Sequence, residues 1–306
     1  MRGTDGVGPP PIPMTAAARL RQATPYLLAG IPILLLFLLV AYPMLYNVNL
    51  SVRSYRTGAF VGLHNFVRVF DDPLFAASLK ATGIYVVLAV GVEIVLGLAL
   101  ALFIHRTIVS ATVRSAVYLL LIIPMVTPPV VAGVIARLIY TPNYGILNHA
   151  LRAVGLIDKD ILWLSTGAGA MFSVLSVDIW QWTPFVFLVC FAGFTAVPID
   201  VAEAARVDGA GGWSLFRLIE LPYLKSLLLL LLIFRFTDTF RVFDHVLVLT
   251  AGGPGASTEF ISVYLYRIAF KFFDLGYAAA IGFYVVMVTS LMFSLLNRWL
   301  ATEGVM

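Results

Sequence analysis

Six stretches of this chain are each apolar over the length of a bilayer crossing, and a water-soluble fold cannot hide them all. A helix needs about 20 apolar residues to cross a hydrocarbon core. Runs of that length lie at about 26–50, 79–104, 114–140, 168–194, 222–249 and 277–300, with glycine and proline marking the breaks. Charged residues are 12% of the 306 and apolar residues 61%, against about a quarter and about half in an ordinary soluble domain. A surface so poor in charge cannot face water all round, which excludes a soluble globular domain and a disordered chain alike. Six spans use roughly 120–150 residues. Loops of modest size fit in the remainder, and a large soluble domain does not. The expected fold class is an all-α membrane protein with six transmembrane helices.

Other chemistries find little support. The single cysteine, Cys190, excludes an internal disulfide and a cysteine-based metal cluster, and reads as a small buried residue. His64, His105, His149 and His245 are scattered without ligand spacing and read as ordinary loop or interface residues. The net charge of +4 reads as loop bias rather than nucleic-acid binding. A phosphate-binding Gly-x-x-x-x-Gly-Lys-Ser/Thr loop is absent, and Gly252-Gly253-Pro254-Gly255 reads as a turn.

Residues 1–24 read as an N-terminal tail rich in Gly, Pro, Ala and Arg, 25–78 as the first helix with an outer loop, 79–300 as the membrane core, and 301–306 as a C-terminal tail. Arg19 and Arg21 before an apolar run also suit a signal peptide. That run is too long for such a segment, and no small-x-small cleavage site closes it, so a retained helix is expected. With the N-terminus inside, nine of the twenty basic residues fall in inner segments, eight in outer segments and three inside spans. The arginine pair before the first span, and Arg106 and Arg114 in the short second loop, favour that orientation. An even number of spans returns the C-terminus to the cytoplasm. Pro124, Pro128, Pro129 and Pro184 lie at membrane depth. Each leaves a carbonyl without its helical partner, which marks either a simple kink or a helix lining a pathway.

The loop at 196–226 is the most informative. Pro198 suits a first helical turn, and Gly209, Gly211 and Gly212 stop the helix. Glu203 and Arg206 sit three apart and can pair. A second short helix starts near Trp213, presents Trp213, Phe216 and Ile219, and is expected to break at Pro222. On residues alone this is a helix–turn–helix, and an amphipathic hairpin resting on the membrane surface is one reading of it.

Glu203-Ala204-Ala205, then Gly209, then Ile219, then Leu221-Pro222 resembles the EAA signature of ABC importer permeases. The similarity extends to Gly62-Leu63, Asn65-Phe66 and Asp72-Pro73, and to Phe234-Arg235, Asp238, Phe240-Arg241 and Phe243-Asp244. It continues through Thr250–Pro254, Tyr264, Tyr266, Ala269-Phe270 and Gly276–Ala280, all of which resemble the carbohydrate branch of that family. The resemblance implies a type I importer transmembrane domain in a bacterial plasma membrane. It implies a second homologous permease, two ATPase subunits carrying ATP and Mg, and an extracellular sugar-binding protein. No cofactor or catalysis would belong to this chain. Glu203, Ala204, Ala205, Asp208 and Gly209 would be the contacts coupling it to the ATPase.

Ionisable groups inside spans are costly and point to function. They are Glu93, Arg137, Asp178, Arg235, Asp238, Arg241 and Asp244. The last four are spaced by three, drift around a regular helix, and cannot all line one narrow face. Either Arg235–Asp238 or Arg241–Asp244 is expected to pair internally, leaving the others to a cavity or a partner. Candidate pathway residues are Trp180, Gln181, Trp182, Arg235, Phe236, Asp238 and Arg241, combining aromatic faces with groups that match hydroxyls. Two other functions compete. A proton-driven transporter would use Glu93 or Asp178, but it usually shows two related halves, and no such repeat is visible. An intramembrane enzyme would need convergent catalytic groups, and Glu93 with Asp178 is the only carboxylate pair outside the fifth span, without a motif.

Overall fold

The computed structural model describes residues 16–108 and 110–302. The described residues hold thirteen α-helices and no strand beyond one isolated bridge between Arg53 and Phe60. The helices are α1 (Ala16–Ser51), α2 (His64–Arg68), α3 (Pro73–Thr107), α4 (Ala111–Val126), α5 (Pro129–Tyr140), α6 (Ile146–Ala153) and α7 (Gly167–Thr195). They continue as α8 (Ile199–Val207), α9 (Gly212–Leu215), α10 (Leu221–Thr239), α11 (Asp244–Leu249), α12 (Ile261–Tyr266) and α13 (Leu275–Thr302). Four of them, α1, α3, α7 and α13, are long and apolar enough to cross a membrane, and α4 with α5 forms a fifth candidate that is bent by 94°.

Helix α1 runs from Ala16, and its apolar part, Leu28–Ser51, coincides with the first expected span, while residues 1–15 lie outside the described ones. Two expectations need correction. The third apolar run is not one helix. Pro128 and Pro129 remove two successive N–H donors, so the chain turns sharply at Thr127. The fifth run ends as a helix at Thr239 and restarts at Asp244, because Arg241 and Val242 close tight three-residue turns onto Asp238 and Thr239. The 19 residues of α10 include Lys225, Arg235 and Asp238, more charge than an ordinary apolar span carries.

Lipid is as apolar as a leucine side chain, so close packing rather than hydrophobic transfer joins these helices. The largest contact is between α3 and α7. It depends on Gly97, where a Cβ would sit 2.6 Å from Val186 and 2.9 Å from the Phe187 nitrogen. Two buried clusters flank this crossing. One gathers Tyr85, Val174, Phe260, Tyr277 and Ile281. The other gathers Ile104, Phe187, Phe194, Phe216 and Leu224 beside the α8–α9 hairpin. Cys190 is fully buried in the second cluster, as its residue type leads one to expect.

The end opposite the hairpin is closed by a polar joint. Asp72 caps α3 by accepting from the N–H of Leu74 at 2.9 Å and of Phe75 at 3.3 Å. Its other oxygen accepts from the hydroxyls of Tyr264 and of Tyr277, the latter at 2.6 Å. Arg68 pairs with Asp274 at 2.7 Å and lies over the Tyr277 ring. Asn65 donates to the carbonyls of Ser51 and Arg53. Many residues that carry the resemblance at this end therefore share one structural joint.

Candidate functional site

Arg235 is the hub of the membrane interior. It is fully buried, and all three of its nitrogens are engaged. Nε and Nη2 donate to the two Glu93 oxygens at 2.7 and 2.9 Å, a bidentate pair from α10 to α3. Nη1 donates to Asp238 at 2.8 Å, and Nη2 also reaches Asp178 on α7 at 3.4 Å. The guanidinium lies 4.4 Å from the centre of the Trp182 ring. The expected pairing of Arg235 with Asp238 is thus present. The main partner, Glu93, lies 142 positions away, a distance at which sequence spacing carries no information. A guanidinium shared by three carboxylates offsets the cost of burying any one of these charges alone.

Beside this hub is a cleft of about 300 Å³ whose lining includes Pro129, Asp178, Gln181, Trp182, Asp238 and Arg241, with Thr239, Val242, Phe243, Asp244 and His245 completing it. Asp238 lies in the last turn of α10, Arg241 sits in the break after Thr239, and Asp244 begins α11, and all three line this one cleft. The sharp turn at Thr127 contributes as well: Gln181 donates to the Thr127 carbonyl at 2.6 Å, supplying a partner where the proline pair breaks the helix.

Other candidates fall elsewhere. Trp180 lies in a separate apolar pocket with Ala132, Ile135 and Tyr140. Phe236 stacks on Phe240 within the packed interior. Arg137 is exposed and donates to the Val248 carbonyl. His245, read from sequence as an ordinary loop or interface residue, is buried, with Nε2 3.2 Å from the Tyr85 hydroxyl. A lone histidine next to an aspartate carried no signal that would have placed it there.

The hairpin at the other end is built differently. Helix α8 ends in a Schellman turn: the Ala210 N–H donates to Ala205 and the Gly209 N–H to Arg206. Gly209 has φ +84°, a left-handed conformation that glycine adopts without strain. None of the residues of α8 is buried. Glu203, Ala204 and Asp208 are exposed and Ala205 half-buried, while Val207 at 87% and Trp213 at 69% present bare apolar surface. Glu203 and Arg206 form no ion pair with each other. The second helix does not break at Pro222. Helix α9 passes through a π turn, Phe216–Glu220, directly into α10. In that wider turn the Leu221 N–H reaches back to Phe216, and the missing N–H of Pro222 falls in the first turn of α10, where it interrupts least. Glu220, buried in this turn, pairs with Arg106 at the end of α3 at 2.8 Å.

The described residues thus combine long apolar helices, a buried ionic hub beside a polar cleft, and an exposed helical hairpin. Residues 93–302 match the family described as binding-protein-dependent transport system inner membrane component. The chain belongs to this family and is a permease subunit of an ABC importer. It is 37% identical over 217 residues to the trehalose/maltose transport system permease protein MalF of Thermococcus litoralis, covering 71% of this chain and 70% of that one. It is 33% identical over 263 residues to the trehalose transport system permease protein SugA of Mycobacterium tuberculosis, covering 84% and 82%. A crystal structure of a bacterial alginate ABC transporter, in complex with a pentasaccharide-bound periplasmic protein, matches in fold with a TM-score of 0.81 at 22% identity, over 93% of this chain and 96% of that one.

Proposed function

We propose that this chain forms half of the translocation path for a carbohydrate handed over by an extracellular binding protein. A second, homologous permease completes the path. Six spans cross the membrane, α10 joining α1, α3, the α4–α5 pair, α7 and α13, and both termini lie in the cytoplasm. Two ATPase subunits, which bind ATP and Mg, dock under the α8–α9 hairpin through Glu203, Ala204, Ala205, Asp208 and Gly209. The path is lined by Gln181, Trp182, Asp238 and Arg241, with Arg235 as the group that organises them.

The observation that carries this reading is the hairpin. Glu203, Ala204 and Ala205 sit on a helix with no buried residue, together with Val207 and close in sequence to Trp213, and the small residues Ala204 and Ala205 allow another surface to approach closely. The names of the relatives support a sugar as cargo. In the proton-driven alternative the carriers would be Glu93 and Asp178, both of which are partners of Arg235.

The test is uptake into proteoliposomes holding this chain, its partner permease and the ATPase, with binding protein and labelled sugar outside and ATP with Mg inside. Uptake should require ATP and the binding protein and persist with a protonophore. Uptake abolished by the protonophore while ATP is maintained would sink this reading in favour of proton coupling.

A further inference from the structure

The loop between α1 and α3 carries part of the family resemblance, Gly62-Leu63 and Asn65-Phe66, yet it belongs neither to the cleft nor to the hairpin. It opens with a tight turn. The Ser54 N–H donates to Ala59, the Gly58 N–H to Ser54 and the Val61 N–H to Val52, each at 2.8 Å. The Arg53 side chain braces this turn, with Nε donating to Asn49 at 2.6 Å and Nη1 to the Gly58 carbonyl at 3.0 Å. Gly58, at φ +67°, permits the reversal. Arg56 therefore stands on a well-bonded turn. It is exposed and has no hydrogen bond or ion pair among the described residues.

Beside the turn is a polar pocket of about 360 Å³ whose lining includes Arg56, His64, Arg68 and Asp274, with hydroxyls from Ser54 and Tyr55. Asp274 is the only carboxylate in the lining, and it already accepts from Arg68 Nη1 at 2.7 Å. His64, like Arg56, is exposed without a partner among the described residues. The pocket offers guanidinium and imidazole donors, and its one acid is taken. An anionic group suits such a lining, whereas an ammonium group meets no free carboxylate.

The position of the pocket selects the anion. Three membrane-length helices have their ends here: Ser51 closes α1, Pro73 opens α3 and Leu275 opens α13. Helix α1 buries none of its most apolar stretch against the rest of the chain, which brings lipid to this rim. The loop itself is bare. Phe60 is 74% exposed, Leu63 68% and Phe70 77%, and Tyr55 and Val67 are exposed as well. Apolar side chains gathered bare outside the spans mark an interaction surface. Aromatic rings beside long basic side chains at span ends are the pattern of a membrane–water interface. A phospholipid places its phosphate at this level and its acyl chains below, and so matches the cationic pocket and the apolar collar together.

We propose that this pocket binds the headgroup phosphate of an anionic phospholipid through Arg56, Arg68 and His64, with the bare apolar side chains of the loop resting in the interfacial layer. A guanidinium offers phosphate two parallel donors, which a single ammonium does not. The inference is independent of which sugar is carried and of which face of the membrane the loop occupies.

The test uses the complete importer, purified in detergent. Its thermal midpoint is followed while dioleoylphosphatidylglycerol is added, with dioleoylphosphatidylcholine and inorganic phosphate as comparisons, for the wild type, Arg56→Gln, Arg56→Lys and His64→Gln. Without lipid, Arg56→Gln should melt like the wild type, because Arg56 has no partner to lose within the described chain. Phosphatidylglycerol should raise the wild-type midpoint to a plateau. Arg56→Gln should need about fivefold more of it for half the rise, the effect of one basic group at an anionic surface. His64→Gln should shift the curve in the same direction, and Arg56→Lys should recover part of the loss. The concentration of binding protein that half-maximally stimulates ATPase activity should not change in Arg56→Gln. An identical lipid response in the wild type, Arg56→Gln and His64→Gln overturns the site. An equal rise with phosphatidylcholine overturns the selection for anionic lipid, and an equal rise with inorganic phosphate makes this a site for free phosphate and overturns the lipid. An unchanged lipid response with more binding protein needed by Arg56→Gln assigns the pocket to a protein contact, and overturns the proposal.

Discussion

The Arg235 hub and the α8–α9 hairpin solve opposite problems. At the hub every charge finds its partner within the chain: Glu93, Asp178 and Asp238 surround one guanidinium, and only Asp238 keeps substantial exposure. At the hairpin almost nothing is settled within the chain. Helix α8 buries no residue, Val207 and Trp213 stand bare, and Glu203 and Arg206 do not pair with each other. The hub is a structural commitment that also shapes a cleft. The hairpin leaves a helical surface exposed. Damage to the first should therefore appear as lost protein, and damage to the second as lost work in a protein that still folds.

Arg235→Leu should have the largest effect. It strands Glu93 and Asp178 without a counter-charge, and breaking a buried pair from one side costs about 3–5 kcal/mol. Folded stability is about 5–15 kcal/mol in all, so the variant should fail to accumulate in membranes, measured by gel filtration of a fluorescent fusion. Glu93→Gln should lose less, because Asp178 and Asp238 still face the guanidinium. Normal accumulation of Arg235→Leu would mean that the hub is not structural.

Gly209→Val comes next. A β-branched residue at φ +84° carries local strain of about 1–2 kcal/mol, confined to an exposed turn. Accumulation should stay near normal while uptake by the assembled importer falls at least about tenfold, the loss of one 1.4 kcal/mol coupling term. A parallel fall in accumulation and uptake would erase the distinction between the two regions.

Arg106→Gln probes the link between them. Glu220, buried at the start of α10, would lose the partner that ties the hairpin to α3, at a cost of about 1–3 kcal/mol. Uptake and thermal midpoint should both fall, each by less than in the two variants above. Uptake falling alone would put Arg106 with the docking surface, and a lowered midpoint alone would put it with the hub.

Asp72→Ala should be mildest, with loss of a helix cap of about 1 kcal/mol and little change in uptake. Burial opposes ionisation of Asp72, yet hydrogen bonds from Tyr264, Tyr277 and the N–H groups of Phe75 and Leu74 outweigh it and hold the carboxyl below its ordinary value. A carboxyl lowered on folding contributes its stability in full above the unfolded value, near 3.8, and loses it as pH falls through the lowered one. Thermal stability of the wild type should therefore drop on acidification below about pH 4, and Asp72→Asn should flatten that drop.

The two regions also differed in how much of them could be read beforehand. The hairpin was legible because its chemistry is local: proline, three glycines and a spaced signature within about twenty residues. Even there Pro222 misled, since a π turn absorbs a proline that would otherwise end the helix. The charges of the hub were legible as a set, because ionisable residues stand out in apolar runs. Their pairing was not, because Glu93, Asp178 and Arg235 meet only through the crossing of α3, α7 and α10. The break at 240–243 left no mark in the sequence either. It contains neither glycine nor proline, and Phe240-Arg241-Val242-Phe243 would sit equally well in a helix. The pair expected among Arg235, Asp238, Arg241 and Asp244 still forms, between Arg235 and Asp238, although the spacing assumed one continuous helix where there are two.

We propose that the α8 surface is covered by the ATPase in the working complex. Cys190 is the only cysteine and is buried, so Ala204→Cys adds a single accessible thiol on that surface. The measurement is labelling of this variant by a membrane-impermeant maleimide in inverted membrane vesicles, with the chain and its partner permease alone and with the ATPase co-expressed. Labelling should be fast without the ATPase and strongly reduced with it. Equal labelling in both preparations, or labelling only from the opposite face of the membrane, would contradict it.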